Sequence, residues 1–184
     1  SIYSIYRCYL YINKMTRFLK PKKIKAEVYV GGLSSWESLK NPIKLSANES
    51  ALGPSPKAIR AFTNSQDNLF RYPADNDSED LRSKIEDKFN IDRNRVICGA
   101  GSDQIIDLIC KVLLDKGDEV IVTQFGFIMY RIYASLHKAK IVFAREKNFK
   151  ASVSSILGKV TKKTKIVFLA NPNNPTGTYL SKNE

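Results

Sequence analysis

An α/β fold with a mainly parallel sheet follows from three features of the chain. From residue 95 onward, short apolar and β-branched runs alternate with segments of helical period, the pattern of βαβ units. Glycine or Asn-Pro steps punctuate several of the junctions. The last apolar run, residues 165–170 (KIVFLA), suits a buried strand and leads into Asn171-Pro172-Asn173-Asn174-Pro175-Thr176-Gly177-Thr178. Proline fixes φ, and asparagine and glycine accept unusual backbone angles, so this octapeptide is a shaped loop rather than a plain turn. Loops at the carboxyl ends of parallel strands are where α/β proteins hold ligands.

The elements can be justified in order. Gly53-Pro54-Ser55-Pro56 opens a helix with Ser55 as cap and Pro56 as first residue. Ala58, Ile59 and Phe62 give it an apolar face. A loop through Phe70-Arg71-Tyr72-Pro73 follows. The next helix begins near Ser78-Glu79-Asp80, with acids in the first turn and Leu81, Ile85 and Phe89 at i, i+4, i+8. Residues 95–98 read as a short strand and Gly99-Ala100-Gly101 as a turn. A helix over 102–114 is expected to be capped by Ser102, with Ile105, Ile106, Ile109 and Leu113 facing inward. Strands at 119–123 and 140–144 flank a helix over 127–137, and a short helix at 152–159 precedes the last strand. Ser181 and Glu184 have the spacing of a capping box, which announces a helix.

Composition narrows the function. The chain has 184 residues, of which 43% are hydrophobic, enough for one globular domain with a core. Its net charge is +12, but residues 1–25 hold seven basic groups and no acid, leaving about +5 for the remainder. No basic stripe with interleaved aromatics continues past that leader, which argues against a nucleic-acid partner. A basic binder using residues 7–25 is the competing reading. The opening SIYSIYRCYLYIN is too short to cross a bilayer and lacks the form of a secretory signal; Met15 is the expected start of translation. Cys8, Cys98 and Cys110 offer neither an even framework nor a metal spacing, and they suit a reducing compartment. With His137 the single histidine, read as a helix-surface residue, no metal centre or Ser-His mechanism is expected.

Several segments together resemble one family. Residues 44–56 (KLSANESALGPSP) resemble the "ANENPLGPSP" start of histidinol-phosphate aminotransferases, and Arg71-Tyr72-Pro73 their "RYP". Gly99-Ala100-Gly101-Ser102-Asp103-Gln104 resembles "GNGSDE", Gly117-Asp118-Glu119-Val120 "GDEV", and Phe127-Ile128-Met129-Tyr130 "FxMY". Residues 171–178 match "NPNNPTGT". The set falls in the family's order. Threonine-phosphate decarboxylase and aromatic aminotransferases are the nearest alternatives of the same fold.

The resemblance implies a cytoplasmic, dimeric fold-type I enzyme that uses pyridoxal 5′-phosphate to move an amino group from glutamate to a small-molecule substrate in histidine biosynthesis. It divides the chain into a basic leader (1–25), an N-terminal arm with dimer contacts (26–75) and an incomplete cofactor-binding large domain (76–184). It assigns Gly101, Ser102 and Asp103 to the cofactor phosphate, where a glycine turn entering a helix presents free N–H groups. A capped helix with nothing bound is the alternative there. Phe127 would stack on the pyridine ring, or be a core residue, with Phe125-Gly126 in place of the family's Pro-Thr. Asn174 would donate to the cofactor O3′, or bond only its own loop. Tyr72 would cross the dimer to the neighbour's phosphate. Tyr29 would line the substrate pocket, and Asn48 and Glu49 lie near it or serve a turn. The family's Schiff-base Lys comes later in the motif order than residues 171–178, and no lysine here has a matching context. The chain alone is therefore expected not to transaminate. A non-catalytic cofactor-binding or dimerising fragment is the alternative function.

Overall fold

The computed structural model describes residues 27–29, 31, 43–72 and 78–184. The basic leader lies outside these residues.

Three strands form the sheet: β1 (Glu119–Thr123), β2 (Lys140–Ala144) and β3 (Thr164–Phe168). Their order is β2-β1-β3 and both pairings are parallel. Among the described residues five α-helices accompany them: α1 (Pro56–Asn64), α2 (Glu79–Phe89), α3 (Gly101–Leu113), α4 (Ile128–Leu136) and α5 (Val153–Leu157).

The central strand explains the layering. All five residues of β1 are buried, as expected of a strand covered on both faces. Val120 and Val122 pack with Ile106, Cys110 and Leu114 of the α3 region, Ala134 of α4 and Ile166 of β3. Ile121 points to the opposite face, against Ala144 and Ile156 of α5. The period-2 alternation of a strand thus divides one apolar run between two cores.

Local chemistry sets the element boundaries. Ser55 caps α1 by accepting from the Ala58 N–H at 3.1 Å, with Pro56 in the first turn. Ser152 likewise caps α5 through the Ser155 N–H at 3.3 Å. Ser181 and Glu184 make the reciprocal contacts of the capping box: Glu184 Oε2 accepts from the Ser181 N–H at 2.9 Å, and Ser181 Oγ accepts from the Glu184 N–H at 3.4 Å.

Five expectations need correction. Residues 95–98 are not a strand: 93–95 form a 3-10 turn and the following backbone is extended without a ladder partner among the described residues. Extended backbone becomes a strand only when a neighbour takes its hydrogen bonds. Ser102 does not cap α3; the cap position is Ala100, whose N–H donates to Gln104 Oε1 at 2.6 Å. The inward face of α3 is Ile106, Cys110 and Leu114, while Ile109 and Leu113 are exposed. This helix carries two apolar stripes, and the sheet covers one. His137 is not a free surface residue; it follows α4 and its Nε2 lies 2.8 Å from Asp107 Oδ1 on α3. The apolar residues Ile59, Phe62, Leu81 and Phe89 of α1 and α2 are likewise exposed rather than packed on the sheet.

Candidate active site

The loops at the carboxyl ends of the strands meet around a cleft of about 980 Å³. Gln124, Phe125, Gly126 and Phe127 follow β1, Arg145 follows β2, and Asn174 and Pro175 follow β3. Tyr29, Glu27 and Ser46 add a rim from the N-terminal segment.

Each wall has a local cause. Gly126 sits in a turn closed by its N–H on the Thr123 carbonyl at 3.1 Å. A Cβ there would lie 2.5 Å from Thr123 Oγ1, so the close approach needs glycine. Phe127 opens α4 and meets Tyr130 edge-on at 5.5 Å, and Tyr130 stacks on Phe168 at 4.7 Å with an interplanar angle of 5°. This ladder of rings ties the cleft wall to β3, and burial raises the Tyr130 phenol above its ordinary value, so it stays protonated.

The 171–178 loop folds around Asn173 rather than Asn174. Asn173 is buried; its Nδ2 donates to the Phe125 carbonyl at 3.2 Å and to Thr176 Oγ1 at 2.8 Å. Its backbone N–H donates to the Thr178 carbonyl and its own carbonyl accepts from Gly177 N–H. With the loop held there, Asn174 stands exposed at the cleft with its side-chain amide unpartnered among the described residues.

The structure brings some expected site residues together and not others. Phe127, Asn174 and Tyr29 line one cleft. Gly101, Ser102 and Asp103 form the first turn of α3 and are not on its walls. They share its end of the sheet, because the carboxyl end of α3 leads through a tight turn to the start of β1. Gly101 adopts φ +78° with open space beside its α-carbon, so backbone conformation is what asks for glycine. Tyr72 is 99% exposed, and Asn48 is exposed with Ser46 taking its place at the rim.

Sequence reasoning missed Gln124, Arg131, Arg145 and Lys159, which also line the cleft. Arg145 had a signal, a cation directly after an expected strand. Arg131 had none: it pairs across the chain with Glu27 at 2.8 Å. Arg145 and Lys159 have no ion-pair partner among the described residues.

These donors suit an anionic, flat, partly aromatic ligand: a ring face at Phe127, a free amide at Asn174 and two cations nearby. Among the described residues no cluster of His, Cys, Asp and Glu fits a metal ion.

Residues 40–184 match the family Aminotransferase class I and II. The chain belongs to that family. It is 54% identical over 165 residues to the histidinol-phosphate aminotransferase of Pelagibacter ubique, covering 90% of this chain and 46% of that protein. Against the same-named protein of Paramagnetospirillum magneticum it is 46% identical, again over 90% of this chain and 45% of the relative. The chain therefore spans about half the length of these curated relatives. Among solved structures, the histidinol-phosphate aminotransferase of Sinorhizobium meliloti in complex with pyridoxal-5′-phosphate superposes with TM-score 0.69 over 73% of this chain and 36% of that one. At 24% identity that likeness establishes the aminotransferase fold. Alanine aminotransferase from Pyrococcus furiosus superposes with TM-score 0.62 at 27% identity, over 71% of this chain.

Proposed function

We propose that this chain is the cofactor-gripping part of a pyridoxal-phosphate-dependent aminotransferase of the histidinol-phosphate type. One observation carries the reading: Phe127 and Asn174, 47 residues apart in sequence, flank the same cleft at the sheet's carboxyl end. The identity to histidinol-phosphate aminotransferases over 90% of the chain supports the substrate class.

When bound, pyridoxal 5′-phosphate supplies the electron sink for amino-group transfer. The chain's own residues would seat it. Phe127 offers a flat apolar face to the ring, held edge-on by Tyr130. Asn174 has a free amide to donate to the O3′ oxygen, which favours the ionised form of that oxygen. The Gly101 N–H donates to the Gly99 carbonyl at 2.8 Å, so the Gly101 turn would serve the phosphate dianion through the Ser102 and Asp103 N–H groups at the positive end of α3. Arg145 and Lys159 add positive charge at the cleft. Tyr29 closes the side where an amino-acid substrate would enter. Asn48 would lie near the substrate, and Tyr72, which is exposed, would reach a second subunit of a homodimer.

In this reading residues 26–75 act as arm and dimer contact, and 76–184 as the cofactor-binding body, in the cytoplasm. No helix among the described residues is long and apolar enough to cross a membrane. No lysine in the chain stands in the Schiff-base context, so binding without turnover of glutamate is expected of the chain alone.

Equilibrium dialysis with pyridoxal 5′-phosphate tests the reading. Phe127→Ala and Asn174→Ala should each weaken binding about tenfold, the scale of one stacking or charge-assisted contact. Equal affinity in wild type and both variants rejects it.

A further inference from the structure

The three strand-end loops are joined to one another by contacts that converge on the Phe125 backbone. Glu146, just after β2, accepts from the Phe125 N–H through Oε1 at 3.1 Å. Asn173, in the loop after β3, donates to the Phe125 carbonyl at 3.2 Å. The two peptide units that flank the Phe125 α-carbon are thus each engaged by a side chain from a neighbouring strand end. The Phe125 ring also packs against Phe149, with centroids 5.3 Å apart, and the Phe149 carbonyl accepts from Thr178 Oγ1 at 2.7 Å.

These contacts come at a cost. Glu146 Oε2 and Asn173 Oδ1 are buried without a hydrogen-bond partner among the described residues. A carboxyl oxygen buried without a partner costs stability. Among the described residues, the hydrogen bond Glu146 makes in the cleft wall is with the Phe125 N–H. Two residues on stands Phe127, and the intervening Gly126 has no side chain to brace the loop. Without the clamp, rotation about Phe125 and Gly126 would swing the Phe127 ring.

We propose that Glu146 is a positioning residue that, with Asn173, clamps the Phe125 backbone on both sides of its α-carbon and so holds the 124–127 loop in the bearing that presents Phe127 to the cleft. Its relevance to a ligand rests on the reading of Phe127 as the ring-facing aromatic. The clamp itself does not.

Amide hydrogen exchange on the full chain, without cofactor, tests it. In Glu146→Ala the Phe125 N–H should exchange about tenfold faster or more, as expected on losing a bond to a charged acceptor, while Val120, Ile121 and Val122 keep their protection. Glu146→Gln, which retains an accepting oxygen, should restore Phe125 protection. Unchanged exchange in Glu146→Ala overturns the clamp, and so does protection lost equally throughout β1. If wild type binds pyridoxal 5′-phosphate, Glu146→Ala should bind about tenfold more weakly and Glu146→Gln nearly as wild type. Equal affinities would overturn the link between clamp and cleft. A wild type that fails to bind rejects the functional reading, and the exchange result still decides the clamp.

Discussion

Cys110 shows how far a single residue's chemistry is set by its surroundings. It is fully enclosed on α3, and its thiol is pushed up to about 11, first by burial and then by the nearby charge of Asp107. The thiolate is the reactive form, so Cys110 should stay unalkylated by iodoacetamide at pH 8 in the folded protein, as peptide mass spectrometry would check. Modification of Cys110 at that pH would mean the α3 face is open. Gly126 is set by the opposite constraint, a neighbour too close for any side chain. The exposed Asn174 and buried Asn173 divide one loop's work in the same way. The burial of Asn173 frees its neighbour to face the cleft.

Among the elements, the amino ends of the strands are tied by Glu119. Its carboxylate accepts from Thr161 Oγ1 at 2.6 Å, in the turn before β3, and from Lys140 Nζ at 2.9 Å, at the start of β2. The Thr161 hydrogen bond, followed by that of Lys140, holds the Glu119 carboxyl below its ordinary value of 4.5. A depressed folded-state value means stability that is present above the ordinary carboxylate range and lost as pH falls through the folded value. Acid unfolding should therefore be steeper in wild type than in Glu119→Gln, compared by circular dichroism from neutral pH downward. Parallel curves would show that Glu119 does not couple the strands. The helices invite a similar reading of how pattern meets packing. The capping of α1 and α5 was legible because a cap is a contact within a few residues. The inward stripe of α3 was not, since Ile105, Ile109 and Leu113 compete with Ile106, Cys110 and Leu114, and the sheet chooses between them.

For the molecule as a whole, stability centres on β1, sandwiched between helices on both faces. Ile121 has no exposed surface and is the largest fully buried side chain among the described residues. Ile121→Ala should cost about 2–5 kcal/mol, a lost side chain plus a cavity, read as a lower denaturant midpoint at unchanged slope. A loss below about 1 kcal/mol would mean that the second core, with Ala144 and Ile156, collapses around the gap. The strands at 119–123 and 140–144 were legible to the residue, because each is a short apolar run followed by punctuation. The last strand lies at Thr164–Phe168, one residue earlier at its start and two at its end than its apolar run suggested. The run at 95–98 was misread for want of a partner, which no local pattern reveals.

Sequence alone determined what depends on neighbours in the chain: the alternation of elements, the caps, the loop after β3 and, through the ordered motifs, the aminotransferase family. The tertiary structure decided which of the marked residues face one another. Phe127 and Asn174 line one cleft because parallel pairing places the ends of β1 and β3 side by side, whereas Gly101 to Asp103 stand on a separate helix, off its walls. Glu146 and Asn173 became visible only there, because a side chain that holds another loop's peptide leaves no periodicity or spacing behind. Its effect comes from distance in space, and folding sets that distance.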